Sequence, residues 1–214
     1  MLKDIKLIIF DLDGTLVDAY PAITGSFNYA MHKLNYPLQK RAVIRRAVGR
    51  GDEHLLKPFI HTADLNKALA IYRRHHAKSL LKGSRLFAGT IKVLQELKKR
   101  DYKLAVASNR PAKFSWILIR NLRLKKYFSY VLCADKLKYG KPHPEILKKI
   151  MQKFRVKPVQ TVYTGDMVID AQAGRRAGVK TIIVTTGSSS KPEIRKEKPY
   201  SVIKKITELA RLFS

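Results

Sequence analysis

Apolar residues cluster in five short runs that are spaced widely along the chain. Each run holds four to six residues and contains β-branched or aromatic side chains, which favours strands buried on both faces. The predicted strands are Lys6–Phe10, Tyr102–Ala107, Tyr130–Ala134, Thr161–Thr164 and Thr181–Thr185.

Segments with apolar residues three and four positions apart separate most of these runs, and one follows the last run. This spacing places the apolar side chains on one face of a helix. The predicted helices are Ile91–Leu97, Ile146–Phe154 and a last helix over Ile203–Phe213. Strands that alternate with helices indicate a parallel sheet with right-handed crossovers.

The interval Val17–Lys82 contains no good strand pattern. It reads instead as four helices with glycine or proline turns between them, at Ala22–Leu34, Lys40–Val48, Glu53–Ile60 and Leu65–Leu81. We therefore predict an α/β protein with a doubly wound, parallel-sheet (Rossmann-like) core, residues 1–16 and 83–214, and an inserted α-helical cap, residues 17–82. Such a cap would cover the carboxyl edge of the sheet and act as a lid.

Composition is consistent with a packed core, since 45% of the 214 residues are hydrophobic. No apolar run approaches the roughly 20 residues of a membrane span, so no membrane partner is expected. The start of the chain is a poor signal peptide, and Cys133 is the single cysteine, which excludes an internal disulfide. We expect a cytoplasmic protein, either a monomer or a homodimer.

The net charge of +28 is unusual and has three explanations. It can attract phosphorylated small molecules, bind nucleic acid or another anionic surface, or reflect a basic proteome in the source organism. The lysines and arginines are spread along the whole chain, at polar positions of amphipathic segments. A solvated surface is thus favoured, with no specific nucleic-acid partner and only nonspecific polyanion binding at low salt.

Polar residues follow four of the predicted strands. In chain order they are Asp11 with Asp13, Ser108 with Asn109, Lys141, and Asp166 with Asp170. The carboxyl ends of parallel strands meet at one edge of a sheet, where ligands of open α/β sheets bind. The sequence therefore predicts that these side chains form one site.

The chemistry of this set points to phosphoryl transfer. Four carboxylates require a hard cation with oxygen ligands, and we expect Mg²⁺. Lys141 supplies positive charge for a phosphoryl group, Ser108 supplies a donor, and Gly14 allows the backbone to approach the phosphate closely. Positioning and charge neutralisation account for most of the catalysis of this reaction.

The same residues resemble the four motifs of the haloacid dehalogenase (HAD) superfamily, in phosphatases of the phosphoglycolate phosphatase type with an α-helical cap. The match runs from about Lys6 to Thr186 with the motifs in the expected order. The four motifs are Asp11-Leu12-Asp13-Gly14-Thr15-Leu16-Val17-Asp18, Ser108-Asn109-Arg110-Pro111, Lys141-Pro142, and Gly165-Asp166 with Asp170.

The resemblance implies a role for each residue. Asp11 would be the nucleophile that forms an aspartyl-phosphate, and Asp13 would protonate the leaving alcohol and then activate water. Lys141 would hold both the nucleophile and the phosphoryl group. The implied Mg²⁺ ligands are Asp11, Asp13 through its carbonyl, Asp166 and Asp170, and the implied phosphate-binding residues are Gly14, Ser108, Asn109 and Lys141.

The substrate would be a small phosphorylated metabolite, with 2-phosphoglycolate as the leading candidate. A phosphosugar phosphatase or mutase and a pyrophosphatase of the same fold are alternatives, as is a non-catalytic polyanion-binding protein. Arg50, in the turn Gly49-Arg50-Gly51, is a candidate cap residue for a substrate carboxylate or second phosphate. The competing interpretation is that Arg50 is only an exposed arginine in a loop. His76 is expected on a helix face, without a role as a ligand.

Overall fold

The computed structural model describes residues 2–213, and its strands define the architecture. In chain order they are β1 (Leu7–Phe10), β2 (Val17–Asp18), β3 (Arg85–Leu86), β4 (Lys103–Ser108), β5 (Tyr130–Cys133), β6 (Thr161–Gly165), β7 (Lys180–Val184) and β8 (Ser201–Ile203). Within the described chain, six of them form a parallel sheet in the order β5-β4-β1-β6-β7-β8, while β2 and β3 form an antiparallel pair.

Helices connect the strands and flank the sheet. The α-helices are α1 (Tyr20–Lys33), α2 (Arg41–Ala47), α3 (Asp52–Leu56), α4 (Leu65–Gly83), α5 (Thr90–Lys99), α6 (Ala112–Asn121), α7 (Glu145–Phe154), α8 (Val168–Ala177) and α9 (Lys191–Lys196). Short 3₁₀ helices lie at Lys57–Phe59, Thr62–Asp64, Lys125–Tyr127, Ala134–Lys136, Pro158–Gln160 and Ile206–Leu212. Within residues 2–213, no helix has both the length and the apolar character needed to cross a bilayer.

The central strand β1 is buried on both faces. Leu7 and Ile9 pack with apolar residues of α7 and α8, while Ile8 and Phe10 point to the opposite face and pack with those of α5 and α6. All four side chains are fully buried. A strand covered on both sides needs apolar residues at successive positions, which explains the continuous run in the sequence. The predicted α/β fold with a parallel sheet is confirmed.

The order of the strands reverses direction at β1. The chain passes from β1 to β4 and β5 on one side of the sheet, and then to β6, β7 and β8 on the other. Such a reversal opens a crevice beyond the carboxyl ends of the strands, where ligands bind. Asp11 follows β1, Ser108 ends β4 and Asp166 follows β6, so the reversal places all three at the crevice.

Helices α1 to α4 lie between the short strands β2 and β3. Phe27 and Met31 of α1 and Leu69 and Leu80 of α4 are buried between these helices, and they belong to the apolar cluster that covers one face of the sheet. Helix α4 also contacts α6 of the core. The division into a core and a cap spanning residues 17–82 stays a prediction. The expectation of no strand from residue 17 onward is wrong at β2, which pairs with β3 where the chain returns.

The predicted last helix over Ile203–Phe213 is wrong in its first part. Residues Ser201–Ile203 form β8, where Ile203 is paired with Val184 of β7, and a 3₁₀ helix follows at Ile206–Leu212. Apolar residues at positions 206, 209 and 212 repeat every three residues, which is the period of a 3₁₀ helix.

Helix α9 follows the polar loop Gly187–Ser190 and is not among the helices predicted from the sequence. The hydroxyl oxygen of Ser190 accepts a hydrogen bond from the Glu193 N–H, and the Glu193 carboxylate accepts one from the Ser190 N–H. This is a capping box, and its Ser-x-x-Glu pattern is visible in the sequence.

Packing of α1 against the 3₁₀ helix Lys57–Phe59 provides a test of how the helical segment is held. Phe27 is fully buried and meets Phe59 edge to face with ring centroids 5.2 Å apart. We expect Phe27→Ala to lower the free energy of unfolding by about 3–5 kcal/mol, because it removes a large buried ring. Urea denaturation followed by circular dichroism measures this change. Leu38, which is 60% exposed, is the control, and equal losses for Phe27→Ala and Leu38→Ala would contradict this packing.

Candidate active site

Lys141 is a buried lysine at the centre of the crevice. Its Nζ lies 3.0 Å from Oδ1 of Asp11, 2.7 Å from Oδ1 of Asp170 and 2.8 Å from the hydroxyl oxygen of Tyr163. Each of the three ammonium hydrogens therefore has an acceptor. Burial alone would lower the pKa of Lys141, but Asp11 and Asp170 outweigh it and raise the pKa above its usual value. The lysine stays charged inside the protein.

Asp11 is held at the end of β1 with one carboxylate oxygen beside Lys141. Its backbone N–H donates to the carbonyl of Thr164 at 2.9 Å, which fixes its position against β6. Burial raises the pKa of Asp11 to about 7, with further contributions from Asp170 and Asp13, while Lys141 opposes the rise. The carboxylate is thus poorly stabilised by the protein alone.

Asp166 lies at the start of the loop after β6 and is fully buried. Its Oδ1 accepts a hydrogen bond from the Thr15 hydroxyl at 2.9 Å, but its Oδ2 is buried without a hydrogen-bond partner. Burial raises the pKa of Asp166 well above its usual value, and the neighbouring Asp170 and Asp11 raise it further. A buried carboxylate oxygen without a partner requires a compensating positive charge.

Three buried carboxylates are close enough to share one ion. Oxygens of Asp11, Asp166 and Asp170 lie within 4.8 Å of one another. Together with the unpartnered Oδ2 of Asp166, this all-oxygen set fits a hard divalent cation.

Asp170 differs from the other two carboxylates because both of its oxygens are already engaged. Oδ1 accepts from Lys141 and from the Tyr163 hydroxyl at 2.6 Å, and Oδ2 accepts from the N–H groups of Asp166 and Met167 at 3.1 and 3.0 Å. These contacts hold Lys141 and the loop that carries Asp166. Direct ligation by Asp170 stays a prediction, and this geometry favours an indirect role.

Gly14 lies against the carboxylate of Asp166. Its φ is +81°, and a Cβ added there would lie 2.2 Å from Oδ2 of Asp166. A side chain would therefore collide with the carboxylate that the cation site needs. Gly14 makes room for Asp166, and its contact with phosphate stays a prediction.

Ser108 and Asn109 sit side by side at the end of β4 but are engaged differently. The hydroxyl oxygen of Ser108 accepts from the N–H of Arg110 at 3.1 Å, which leaves its hydrogen available for a phosphate oxygen. Asn109 donates to the carbonyls of Gly49 and Lys141 at 2.8 and 2.9 Å and accepts from the Lys141 N–H at 2.8 Å. Both of its amide hydrogens are used, so Asn109 ties a cap loop to the Lys141 loop. Its predicted phosphate contact is not tested.

Arg110 is a site residue to which the sequence analysis gave no role. Its Nε donates to Oδ2 of Asp13 at 2.6 Å, and its Nη1 lies 2.5 Å from Nε2 of His76 in α4. Arg110 and His76 are both at least nine-tenths buried. The position of Arg110 directly after Ser108-Asn109 was the only signal in the sequence, and nothing there indicated His76 as its partner.

The crevice continues into a cavity between the cap helices and the sheet. From the core it is lined by Asp11, Asp13, Ser108, Asn109, Arg110, Pro111, Phe114, Lys141, Met167 and Ile169, and from the cap by Ile23, Val48, Gly49, Gly51, Asp52, Leu55, Tyr72 and His76. Arg50 is exposed and does not line the cavity, although its neighbours Gly49 and Gly51 do. Its proposed contact with substrate stays a prediction.

Comparison with known proteins agrees with this geometry. Residues 8–184 match the family described as haloacid dehalogenase-like hydrolase. The chain belongs to this family. A crystal structure of a predicted phosphoglycolate phosphatase from Haemophilus somnus 129PT superposes with a TM-score of 0.94 and 26% identity, over 99% of each chain. The resemblance inferred from the motifs is thus confirmed.

Two curated relatives narrow the activity. The chain is 32% identical to a phosphoglycolate phosphatase of Nitrosococcus oceani, over all of this chain and 99% of that protein. It is also 32% identical to a phosphoglycolate phosphatase of Rhodobacter capsulatus, over 86% of each chain. The chain is accordingly a phosphatase of the haloacid dehalogenase-like hydrolases that acts on a small phosphorylated substrate.

The raised pKa of Asp166 leads to a test of the cation site. A carboxyl whose pKa is raised on folding destabilises the folded state when it is ionised at neutral pH. Asp166→Asn should therefore raise the melting temperature in EDTA by about 2 °C or more and abolish the further rise that Mg²⁺ gives to the wild type. Differential scanning fluorimetry with and without Mg²⁺ measures both effects.

The exposed Asp4, whose φ of 57° also suits asparagine, provides the control variant Asp4→Asn. This variant should respond to Mg²⁺ as the wild type does. A full Mg²⁺ response in Asp166→Asn would show that the ion binds elsewhere.

Proposed function

We propose that this phosphatase hydrolyses a small phosphate monoester, with 2-phosphoglycolate as its leading substrate, through a phosphoryl group carried on Asp11 and with Mg²⁺ as cofactor. The observation that carries the proposal is the arrangement around Lys141. This buried cation contacts Asp11 at the switch point of the sheet, beside Asp13 and a carboxylate set suited to a divalent ion.

In the first half-reaction an Asp11 carboxylate oxygen attacks phosphorus. A bond forms between Asp11 and the phosphoryl group while the bond from phosphorus to the ester oxygen breaks. Asp13 donates a proton to that oxygen, so the product leaves as an alcohol. Lys141 and the hydroxyl of Ser108 stabilise the charge on the phosphoryl oxygens.

In the second half-reaction Asp13 accepts a proton from water as the water oxygen attacks phosphorus. The bond from Asp11 to phosphorus breaks, inorganic phosphate leaves, and both carboxyl groups return to their starting states. The use of Asp13 first as an acid and then as a base requires that it reach the same face of the phosphoryl group in both steps. Its place two residues after Asp11 supports this role.

Mg²⁺ would be held by side chains of Asp11 and Asp166 and the backbone carbonyl of Asp13, with Asp170 in support. When bound, the ion neutralises charge between the carboxylates and the phosphoryl oxygens. The unpartnered Oδ2 of Asp166 is the structural support for this assignment.

The choice of 2-phosphoglycolate rests on relatives that carry the name phosphoglycolate phosphatase and on the cavity under the cap. Tyr72 and His76 line the same cavity as Asp11 and Asp13 and cover them from the side of the helical segment, so a compact substrate fits better than a polymer. The surface charge of +28 then adds a general attraction for anionic metabolites and nonspecific polyanion binding at low salt.

The nucleophile is tested by Asp11→Asn with 2-phosphoglycolate and with para-nitrophenyl phosphate in the presence of Mg²⁺. We expect a loss of at least about 10³-fold in kcat/KM for both, since the amide cannot form the covalent intermediate. Acid quenching with phosphorus-labelled substrate should leave label on wild-type protein, and hydroxylamine should release it. Asp11→Asn should carry no label.

Asp101→Asn is the matched control, because Asp101 is an exposed aspartate outside the site. It should retain wild-type turnover and labelling. Turnover by Asp11→Asn at a wild-type rate would exclude Asp11 as the nucleophile. Absence of turnover by the wild type with any phosphoester would exclude the proposed function itself.

A further inference from the structure

Arg110 is the cation of the cavity that retains free hydrogen-bond donors. Among the lining residues of the described chain, the permanently charged cations are Lys141 and Arg110. Lys141 has an acceptor for each of its three hydrogens. Arg110 uses Nε toward Asp13 and one hydrogen of Nη1 toward His76, and its Nη2 has no hydrogen-bond partner within residues 2–213.

His76 holds Arg110 as a neutral acceptor. A guanidinium only donates, so Nε2 of His76 must accept and the ring hydrogen must be on Nδ1. Nδ1 lies 3.1 Å from the hydroxyl oxygen of Ser26, which in turn donates to the carbonyl of Ala22 at 2.8 Å. Burial and the charge of Arg110 lower the pKa of His76 to about 2, which agrees with a neutral ring.

The ring of His76 is also fixed by its apolar neighbours. It stacks on Tyr72 with centroids 4.8 Å apart and meets Phe114 edge to face at 5.3 Å. Helices α1 and α4 thus place one acceptor against Arg110, and this contact joins the cap to a core residue that touches Asp13.

The other large side chains that line the cavity offer few hydrogen-bonding groups to a polar substrate. They include Ile23, Val48, Leu55, Tyr72, Phe114 and Ile169, of which only Tyr72 carries a polar group. The cap carboxylate Asp52 is already paired in two contacts with Arg73, at 2.7 and 3.1 Å. A neutral sugar would leave its hydroxyl groups unpaired against this wall, whereas one further anionic group would find the open side of Arg110.

We propose that Arg110, held by His76, binds a carboxylate of the substrate and so selects phosphate esters of short 2-hydroxy acids over neutral phosphate esters. This inference rests on the proposed function. Arg110 contacts Asp13, the neighbour of the nucleophile, so the carboxylate must lie within one or two carbons of the ester oxygen. Arg110 is a specificity-determining residue, and His76 is a positioning residue that acts through it.

The assignment differs from the sequence-based candidate Arg50. Arg50 is exposed, and it makes no hydrogen bond or ion pair within the described chain. Its guanidinium would have to fold inward to reach a substrate, whereas Arg110 is already nine-tenths buried in the cavity wall. The two arginines therefore form a matched pair for an experiment.

The test compares 2-phosphoglycolate with its amide, which keeps the phosphate and replaces the carboxylate by a neutral group. The measured quantity is the ratio of the two kcat/KM values. Changes that act through Asp13 affect both esters and cancel in this ratio. Arg110→Gln should lower the ratio by at least about tenfold relative to wild type, because it removes a charge-assisted hydrogen bond.

His76 variants test the positioning role. His76→Leu removes the acceptor and should raise KM for 2-phosphoglycolate more than it lowers kcat, which lowers the ratio of the two kcat/KM values. His76→Gln keeps an acceptor and should restore part of that ratio. Arg50→Gln should leave the ratio unchanged. Melting temperatures of all variants show that the fold is retained.

The outcomes separate the inference from the proposed function. An unchanged ratio in Arg110→Gln, with both esters still hydrolysed, overturns the inference and leaves the phosphatase activity in place. If Arg110→Gln hydrolyses neither ester, the His76→Leu variant decides. A ratio of the two kcat/KM values in His76→Leu within about twofold of wild type would then overturn the inference. A wild type that hydrolyses neither these esters nor para-nitrophenyl phosphate contradicts the proposed function instead.

Discussion

The ion pairs of buried Lys141 are the interaction on which the site depends. Carboxylates of Asp11, Asp166 and Asp170 converge where the strand order reverses, and their mutual repulsion would disfavour the folded state. One lysine offsets part of this charge and is itself kept protonated by Asp11 and Asp170. The remaining negative charge, with the unpartnered oxygen of Asp166, accounts for the need for a divalent cation.

Supporting residues keep this arrangement rigid. Asp170 receives four hydrogen-bond donors and so fixes both Lys141 and the loop of Asp166. Asn109 joins the Lys141 loop to the cap at Gly49. The residues that follow the parallel strands therefore also hold the loops that carry the charged groups of the site.

Residues from the sheet and from helices α1 to α4 meet at Arg110. Under the proposed function the loops of the sheet would provide the nucleophile, the cation ligands and Lys141, whereas helices α1 to α4 and their loops provide apolar lining and the acceptor of His76. Arg110 contacts Asp13 on one side and His76 on the other. One guanidinium therefore connects helix α4 to the residue proposed to move the proton. On the role proposed for Arg110, helices α1 to α4 would influence which ester reacts without contributing to the chemistry itself.

The sequence alone determined the five strands β1, β4, β5, β6 and β7 of the parallel sheet, the helical character of the segment after β2 and the order of the acid and lysine motifs, because strand burial and chain order leave direct traces in residue type and spacing. It failed where pairing partners decide the structure. Ile203 joins a strand only because Val184 lies beside it. Likewise the contact of Arg110 with His76, across 34 residues of chain, has no signal in the sequence. Those contacts follow from packing between distant segments, which only the tertiary structure decided.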